Sequence, residues 1–258
     1  MTAAAWASLV NVASAPYRRA GRFAWHFARG KLNLDPVFRH LLRQGLIAPS
    51  ARVLDIGCGQ GLLASLLHAA GAAAQDGRWP AAWAAAPLGA KVTGIELMPK
   101  DVARAHTALG DTARFVCGDM RHTTFPECDA VVILDVLHYI TVAEQDKVLA
   151  RVRAALPPGG RLLLRVGDAH SRRGFLISQW VDRVVTLVRG HRVVPQFGRP
   201  LSHWKASLRS LGFDVHSVPM SQGTPFANVL LVATLAAEAT RETAPAQHPQ
   251  RAAMEATT

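Results

Sequence analysis

The stretch VLDIGCGQGLLA, residues 53–64, decides the fold of this 258-residue chain. An apolar run ends near Asp55, and Gly57, Gly59 and Gly61 follow at every second position before a second apolar run begins. Glycine adopts backbone conformations that other residues avoid, and it lets a ligand approach the main chain closely. The pattern therefore predicts a strand, a tight turn and a helix, with room for a ligand at the turn.

Segments with strand-like and helix-like patterns alternate on both sides of this turn. Apolar strands that alternate with helices predict a parallel sheet covered on both faces. Two consecutive strand patterns near the end of the chain indicate a hairpin with one antiparallel strand. We therefore predict an α/β fold: a Rossmann-like, doubly wound, seven-stranded and mostly parallel sheet with a C-terminal β-hairpin and helices on both faces.

The chain divides into a head, one α/β domain and a tail. Residues 1–45 form a helical head that is basic and aromatic, and residues 46–236 form the domain. Residues 237–258 lack an apolar period and are expected to be disordered. Two insertions interrupt the domain, a Trp-, Pro- and Ala-rich one at 73–90 and a second one at 168–200.

Composition limits the class of protein. The three cysteines show no C-x-x-C spacing, which argues against a disulfide framework and a structural zinc site. No lysine or arginine precedes the N-terminal apolar stretch, so we expect no cleaved signal and a cytoplasmic protein. The net charge of +11 attracts anionic partners, although a general arginine bias explains it equally well.

The strand ends indicate what the glycine turn holds. In an open parallel sheet, ligands bind beyond the carboxyl ends of the strands. The loop lacks the Gly-Lys-Ser/Thr of a nucleotide-phosphate loop. Glu96 ends the next strand, where an acid hydrogen-bonds ribose, and Asp119 follows the third strand, where it can accept from an exocyclic amine. Taken alone, the glycine turn could be a plain tight turn, and Glu96 or Asp119 could be an exposed charge. The occurrence of all three at successive strand ends favours a nucleoside ligand.

The segments VLDIGCGQG, GIEL, FVCGDM, DAVVILDVLHYI and LPPGGRLLLRV, in this order and with the terminal strand pair, resemble the class I S-adenosylmethionine-dependent methyltransferases. The resemblance covers residues 46–235. It implies S-adenosylmethionine as the cofactor and methyl transfer as the activity. The insertion at 73–90 departs from the usual pattern.

The resemblance also implies roles for residues at the strand ends. The cofactor-binding set is Asp55, Gly57, Cys58, Gly59, Gly61, Glu96, Leu97, Asp119, Met120 and Asp135. In that family the glycine loop holds the methionine part of the cofactor, and Asp55 supports the loop. Glu96 then binds ribose with Leu97 beside the adenine, while Asp119 binds the adenine amine with Met120 against the ring.

Candidates for catalysis follow the fourth strand. Methyl transfer is an in-line displacement, in which the protein positions the nucleophile and removes its proton where necessary. Asp135, His138 and Tyr139 are the candidates, and the ordinary pKa of histidine suits a general base. The alternative is that His138 and Tyr139 only pack over the cofactor. A divalent ion between Asp135 and Asp168 would lack a neighbouring Asn ligand, so we predict no metal.

The acceptor is less defined than the cofactor. The motifs of DNA amino-methylating and cytosine C5 enzymes are absent, and no RNA-binding module is recognisable. Nucleic acid is therefore disfavoured, and RNA methylation stays an alternative, as does a non-catalytic cofactor-binding partner subunit. The insertion at 168–200 normally forms part of the substrate wall in the family. Its Phe175, Trp180 and Phe197 favour an aromatic or apolar acceptor.

The head, the Trp-rich insertion and the ending PMSQGTPFANVLLVA resemble bacterial methyltransferases of aryl-polyene pigment pathways. This resemblance implies a small aromatic acceptor in secondary metabolism, free or tethered to an acidic acyl carrier protein. Residues 17–31 interleave basic and aromatic side chains. They are predicted to dock such a carrier, to lie on a membrane surface, or to pack their aromatic rings on the core.

Overall fold

The computed structural model describes residues 3–167, 197–221 and 228–236. Seven α-helices lie in this part: α1 (Ala3–Ser14), α2 (Arg22–Leu34), α3 (Pro36–Arg43), α4 (Leu62–Gln75), α5 (Pro99–Leu109), α6 (Val142–Ala155) and α7 (Leu201–Ser210). The strands are β1 (Arg52–Ile56), β2 (Lys91–Glu96), β3 (Arg114–Cys117), β4 (Ala130–Leu134), β5 (Arg161–Gly167), β6 (Phe213–Pro219) and β7 (Asn228–Leu235). The predicted tail and most of the second insertion, including Asp168, Phe175 and Trp180, lie outside the described residues.

The seven strands form one sheet in the order β3-β2-β1-β4-β5-β7-β6. β7 is antiparallel to both of its neighbours, and the remaining pairs are parallel. The predicted fold is thereby confirmed, including the terminal hairpin. The strand order reverses between β1 and β4, and this reversal creates the crevice in which open α/β sheets bind ligands.

Local signals explain where the helices begin. The Asp35 carboxylate accepts from the Val37 amide at 3.1 Å and caps α3, with Pro36 at the first helical position. Thr141 and Glu144 form a reciprocal capping box at the start of α6. α4 continues to Gln75 and so extends into the start of the predicted insertion at 73.

Alternate side chains of each strand enter two hydrophobic clusters, one on each face of the sheet. One cluster contains α4, α5 and the head, and the other contains α6 and α7. Val53 lies in the first cluster, while its neighbour Leu54 lies in the second. The central strands β1, β4 and β5 are therefore apolar on both sides, as their continuous apolar sequences predict, whereas the edge strand β6 alternates between buried and exposed residues.

The head belongs to the first cluster. α1 packs against α4, and the Trp6 ring lies 6.3 Å from that of Trp83 in the Trp-rich insertion. Ala24, Ala28 and Leu32 of α2 are fully buried. The head thus covers one face of the sheet with apolar side chains. Among the described helices, none has the length and apolar character that crossing a bilayer requires.

Candidate cofactor and acceptor site

The glycine loop joins β1 to α4 with three residues in left-handed conformations. The φ angles are +75° at Gly57, +55° at Gly59 and +81° at Gly61. A Cβ atom on Gly57 would lie 2.4 Å from Cγ1 of Val136, with Cγ2 and Cβ of the same valine within 3.0 Å. Rotation of the valine cannot relieve this contact because all three atoms are close. The loop therefore requires glycine for its conformation and, at Gly57, for space.

Glu96, at the end of β2, holds the loop from the neighbouring strand. One carboxylate oxygen accepts from the Gly59 amide and the other from the Met98 amide, both at 2.9 Å. A carboxylate offers about four lone-pair positions, so Glu96 retains acceptor capacity for ribose hydroxyls. Leu97 beside it is 51% exposed, which leaves an apolar surface at the place predicted for adenine.

Asp55 lies buried beneath this loop. Burial, with a further contribution from the charge of Glu96, raises the pKa of Asp55 to about 7. Cys58 packs closely over Gly94, and burial raises the pKa of its thiol above the ordinary value. The side-chain amide of Gln60 donates to the backbone carbonyl of Ala24 in α2 at 2.8 Å. The head therefore supports the loop directly, a contact that the sequence analysis did not predict.

Asp119 follows β3 and is held by Arg121. The Arg121 amide donates to the Asp119 carboxylate at 2.8 Å, and its guanidinium contacts both carboxylate oxygens. These hydrogen bonds lower the pKa of Asp119 below its ordinary range. The same guanidinium also pairs with Glu144 at 2.9 Å. An adenine amine bound here has to share the Asp119 carboxylate with Arg121. Met120 is partly buried beside it.

A buried charge cluster lies at the ends of β4 and β5. The Arg165 side chain is 1% exposed, and it donates to the carboxylates of both Asp135 and Asp35. The Lys31 ammonium lies 2.7 Å from Asp35. Although burial opposes ionisation, Arg165 and Lys31 hold the pKa of Asp35 well below its usual range. The two cations and two carboxylates balance, as burial of charge requires.

Asp135 has a φ angle of +58°, which is rare for a residue with a Cβ. The contacts to Arg165 fix its side chain, and the next residue is Val136, which lies over Gly57. The strained conformation thus sets how the chain leaves β4 towards the glycine loop. In this structure Asp135 acts through its ion pair with Arg165, and its side chain is 29% exposed at the edge of the site.

His138 and Tyr139 lie in the 3-10 turn Leu137–Tyr139, with ring centroids 4.3 Å apart. Burial lowers the pKa of His138 below its ordinary value, although the nearby Asp135 carboxylate opposes this shift. The imidazole is therefore neutral at pH 7 and can accept a proton. The buried Gln145 side chain donates to the carbonyls of Leu137 and Ile140, both at 3.0 Å, and so fixes the turn.

Phe197 joins the described end of the second insertion to this turn. Its amide donates to the His138 carbonyl at 3.2 Å, and its carbonyl accepts from Gln145 at 2.9 Å. The Arg199 guanidinium donates to the Gln145 amide oxygen at 2.6 Å. The site thus depends on Gln145 and Arg199, which the sequence analysis missed. Arg165 was likewise not predicted, although a charged residue inside the apolar strand LLLRV already requires a buried partner.

The strand order, the glycine loop at the reversal point and the acids at successive strand ends define a Rossmann-like domain that binds a nucleoside cofactor. Comparison with known proteins narrows this class. The family model described as a methyltransferase domain matches residues 24–218, and the chain belongs to that family. The cofactor implied by the sequence resemblance, S-adenosylmethionine, is thereby confirmed.

Two curated relatives show how far the likeness extends. The chain is 33% identical over 130 residues to a carboxy-S-adenosyl-L-methionine synthase of Chromohalobacter salexigens, covering 46% of this chain and 43% of that protein. It is 30% identical over 204 residues to a ubiquinone biosynthesis O-methyltransferase of Xanthomonas axonopodis pv. citri, covering 76% of each. The chain therefore spans less than half of the first relative and about three quarters of the second.

A solved structure of an O-methyltransferase family protein from Burkholderia thailandensis superposes with a TM-score of 0.59 at 18% identity. The superposition covers 86% of this chain and 63% of that chain. At this level of identity the likeness concerns the fold alone.

The described residues fit the cofactor. Gly57 leaves no room for a side chain, Glu96 keeps acceptor capacity, and Leu97 exposes an apolar face. In the described ranges, no group of three His, Cys, Asp or Glu residues is placed to hold a metal ion.

Proposed function

We propose that this chain transfers the methyl group of S-adenosylmethionine to a hydroxyl of a small aromatic acceptor. The observation that carries the proposal is the position of His138 in the turn that follows β4, next to the strand end that faces the glycine loop. His138 lies two residues after Val136, and Val136 packs against Gly57. The name of one relative, a ubiquinone biosynthesis O-methyltransferase, supports oxygen as the accepting atom.

The residues have separate tasks in this reaction. S-adenosylmethionine supplies an electrophilic methyl group on a sulfonium sulfur. His138 would accept the hydroxyl proton of the acceptor, and the nearby Asp135 carboxylate would favour the resulting imidazolium. Gln145 and the contacts of Arg165 with Asp135 hold both ends of this turn in place. Positioning of the hydroxyl in line with the methyl group accounts for much of the rate enhancement.

An aromatic acceptor is the class that the chain favours. Phe197, the described aromatic residue of the second insertion, is tied by its backbone to His138 and Gln145. The resemblance to methyltransferases of aryl-polyene pathways supports a phenolic head group, free or carried on an acyl carrier protein, in secondary metabolism. Comparing methyl transfer to free phenolic acids with transfer to carrier-bound phenolic acids distinguishes the two kinds of acceptor.

The test combines binding and turnover. Titration calorimetry with S-adenosylmethionine and S-adenosylhomocysteine measures cofactor affinity, and a screen of phenolic acids, free and carrier-bound, measures methyl transfer. For His138→Gln we expect kcat to fall by about 10²-fold to 10⁴-fold, with cofactor affinity unchanged. The loss should shrink at alkaline pH, where the acceptor hydroxyl ionises without help.

The matched control is His203→Gln, an exposed histidine of α7, which should retain the full rate. Equal rates for His138→Gln and the unaltered chain would contradict the general-base role. Tight cofactor binding without turnover on any acceptor would contradict the enzymatic proposal and favour a partner subunit.

A further inference from the structure

The exposed side of the head has an unusual charge distribution. Residues 1–34 contain five lysines and arginines and no acidic residue; the first carboxylate is that of Asp35. Arg18, Arg19, Arg22 and Arg29 are all exposed. This surface therefore presents positive charge without the interspersed acids that neutralise most basic surfaces.

α2 carries a second apolar stripe in addition to the one that faces the core. Its core-facing residues are Ala24, Ala28 and Leu32. Phe23 and Leu34 lie eleven positions apart, which places them within about 20° of each other around the helix. Phe23 is 45% exposed and Leu34 is 74% exposed. A helix that only covers a core needs a single apolar stripe.

Cations flank this second stripe along the helix. Arg22, His26 and Arg29 are exposed on one side of it. A further cation, the Arg104 guanidinium of α5, lies 4.8 Å from the centre of the Phe23 ring. The stripe extends over about 16 Å of helix. Large apolar side chains bordered by cations are the composition of helices that lie in a bilayer interface.

We propose that this face of α2 docks on an anionic lipid surface, with Phe23 and Leu34 at the acyl boundary and the arginines among the headgroups. Each cation near such a surface contributes to the attraction, and the apolar side chains add burial that salt does not screen. An acidic protein would account for the arginines, but it would not account for the apolar stripe along the helix. The lipid surface explains both.

Docking in this way brings the acceptor edge close to the bilayer. Leu34 is followed by Asp35, whose carboxylate binds Arg165, and Arg165 binds Asp135 at the edge of the site. An acceptor that partitions into the membrane would then be presented beside the catalytic turn. This consequence rests on the proposed function, whereas lipid binding by the head does not.

The experiment is co-sedimentation of the full chain with vesicles of phosphatidylglycerol and with vesicles of phosphatidylcholine. We expect binding to the anionic vesicles only. Arg22→Glu with Arg29→Glu, and separately Leu34→Glu, should each weaken that binding by at least about tenfold. Because all three side chains are exposed, the variants should keep the fold, and calorimetric cofactor affinity verifies this.

The controls match the change in charge. Arg153→Glu with Arg209→Glu alters two exposed arginines of α6 and α7, and Val142→Glu alters an exposed apolar residue. Both should bind anionic vesicles within about twofold of the unaltered chain. Equal losses in the test and control variants, or no vesicle binding, would overturn the proposal. Loss on arginine reversal without loss in Leu34→Glu would overturn it in favour of an acidic macromolecule such as a carrier protein.

Discussion

The two halves of the sheet edge are built by different physical means. The half at β1 and β2 consists of backbone turns, three left-handed glycines and one carboxylate that binds amides. The half at β4 and β5 consists of a guanidinium between two carboxylates, 30 and 130 residues away in the sequence. The first half depends on space and backbone conformation, and the second on the balance of buried charge. The two halves should therefore fail in different ways.

Arg165→Met should have the largest effect, because it leaves the carboxylates of Asp35 and Asp135 close together without their cation. Removal of one partner from a buried ion pair typically costs about 3–5 kcal/mol of unfolding free energy. Urea denaturation measures this loss. The control is Arg161→Met on the same strand, whose partly exposed side chain binds two carbonyls and should cost about 1 kcal/mol. Similar losses of unfolding free energy for both variants would contradict a large contribution of the buried charge cluster to stability.

Gly57→Ala should have the next largest effect. It should lower the affinity for the cofactor and leave the buried ion pairs of Arg165 intact. The added Cβ meets Val136 at 2.4 Å and also occupies a left-handed conformation. We expect cofactor affinity, measured by calorimetry, to fall by about 100-fold. Two free-energy costs contribute to this loss: the steric clash with Val136 and about 1–2 kcal/mol of backbone strain. Gly110→Ala has a similar φ of +50° but open space around it, so it should leave affinity within about threefold. Equal affinities for the two variants would contradict the steric argument.

At acid pH Asp55→Asn should have the smallest effect of the three substitutions, and this effect should grow as the pH rises. The pKa of Asp55 is about 7 in the fold and about 3.9 in an unfolded chain. Protonation is therefore favoured by folding, and this contribution is full below pH 4 and is lost as pH rises through 7. Relative to the unaltered chain, Asp55→Asn should gain about 4 kcal/mol of unfolding free energy between pH 4 and pH 8, because the two pKa values differ by about 3 units. A parallel stability profile for both proteins between pH 4 and 8 would rule out this role of Asp55.

Asp35 has the opposite pH dependence to Asp55. Its pKa is depressed in the fold, so its contribution is present above about pH 4 and is lost as pH falls further. The carboxylates of the two halves thus respond to acid with opposite signs.

These differences also explain which parts the sequence could predict. The glycine loop and Glu96 are local patterns at strand ends, and parallel topology alone brings them together. The Arg165 cluster depends on where the head packs, and the head has no fixed place in the parallel-sheet pattern. The sequence around Asp35, which directly precedes Pro36, indicates only a helix cap, because the ion pair of Asp35 requires a residue 130 positions away. The sharing of Asp119 with Arg121 likewise depends on side-chain orientation rather than on spacing.

From the contact between Asp35 and Arg165 we expect an order of folding. Synthesis proceeds from the N-terminus, so the head is made long before the strand that contains its partner. Arg165 cannot enter the apolar sheet at low cost until both carboxylates are in place. Contacts between residues so far apart in the chain slow the overall rate of folding. The first helices to be synthesised are thus expected to be among the last to be fixed.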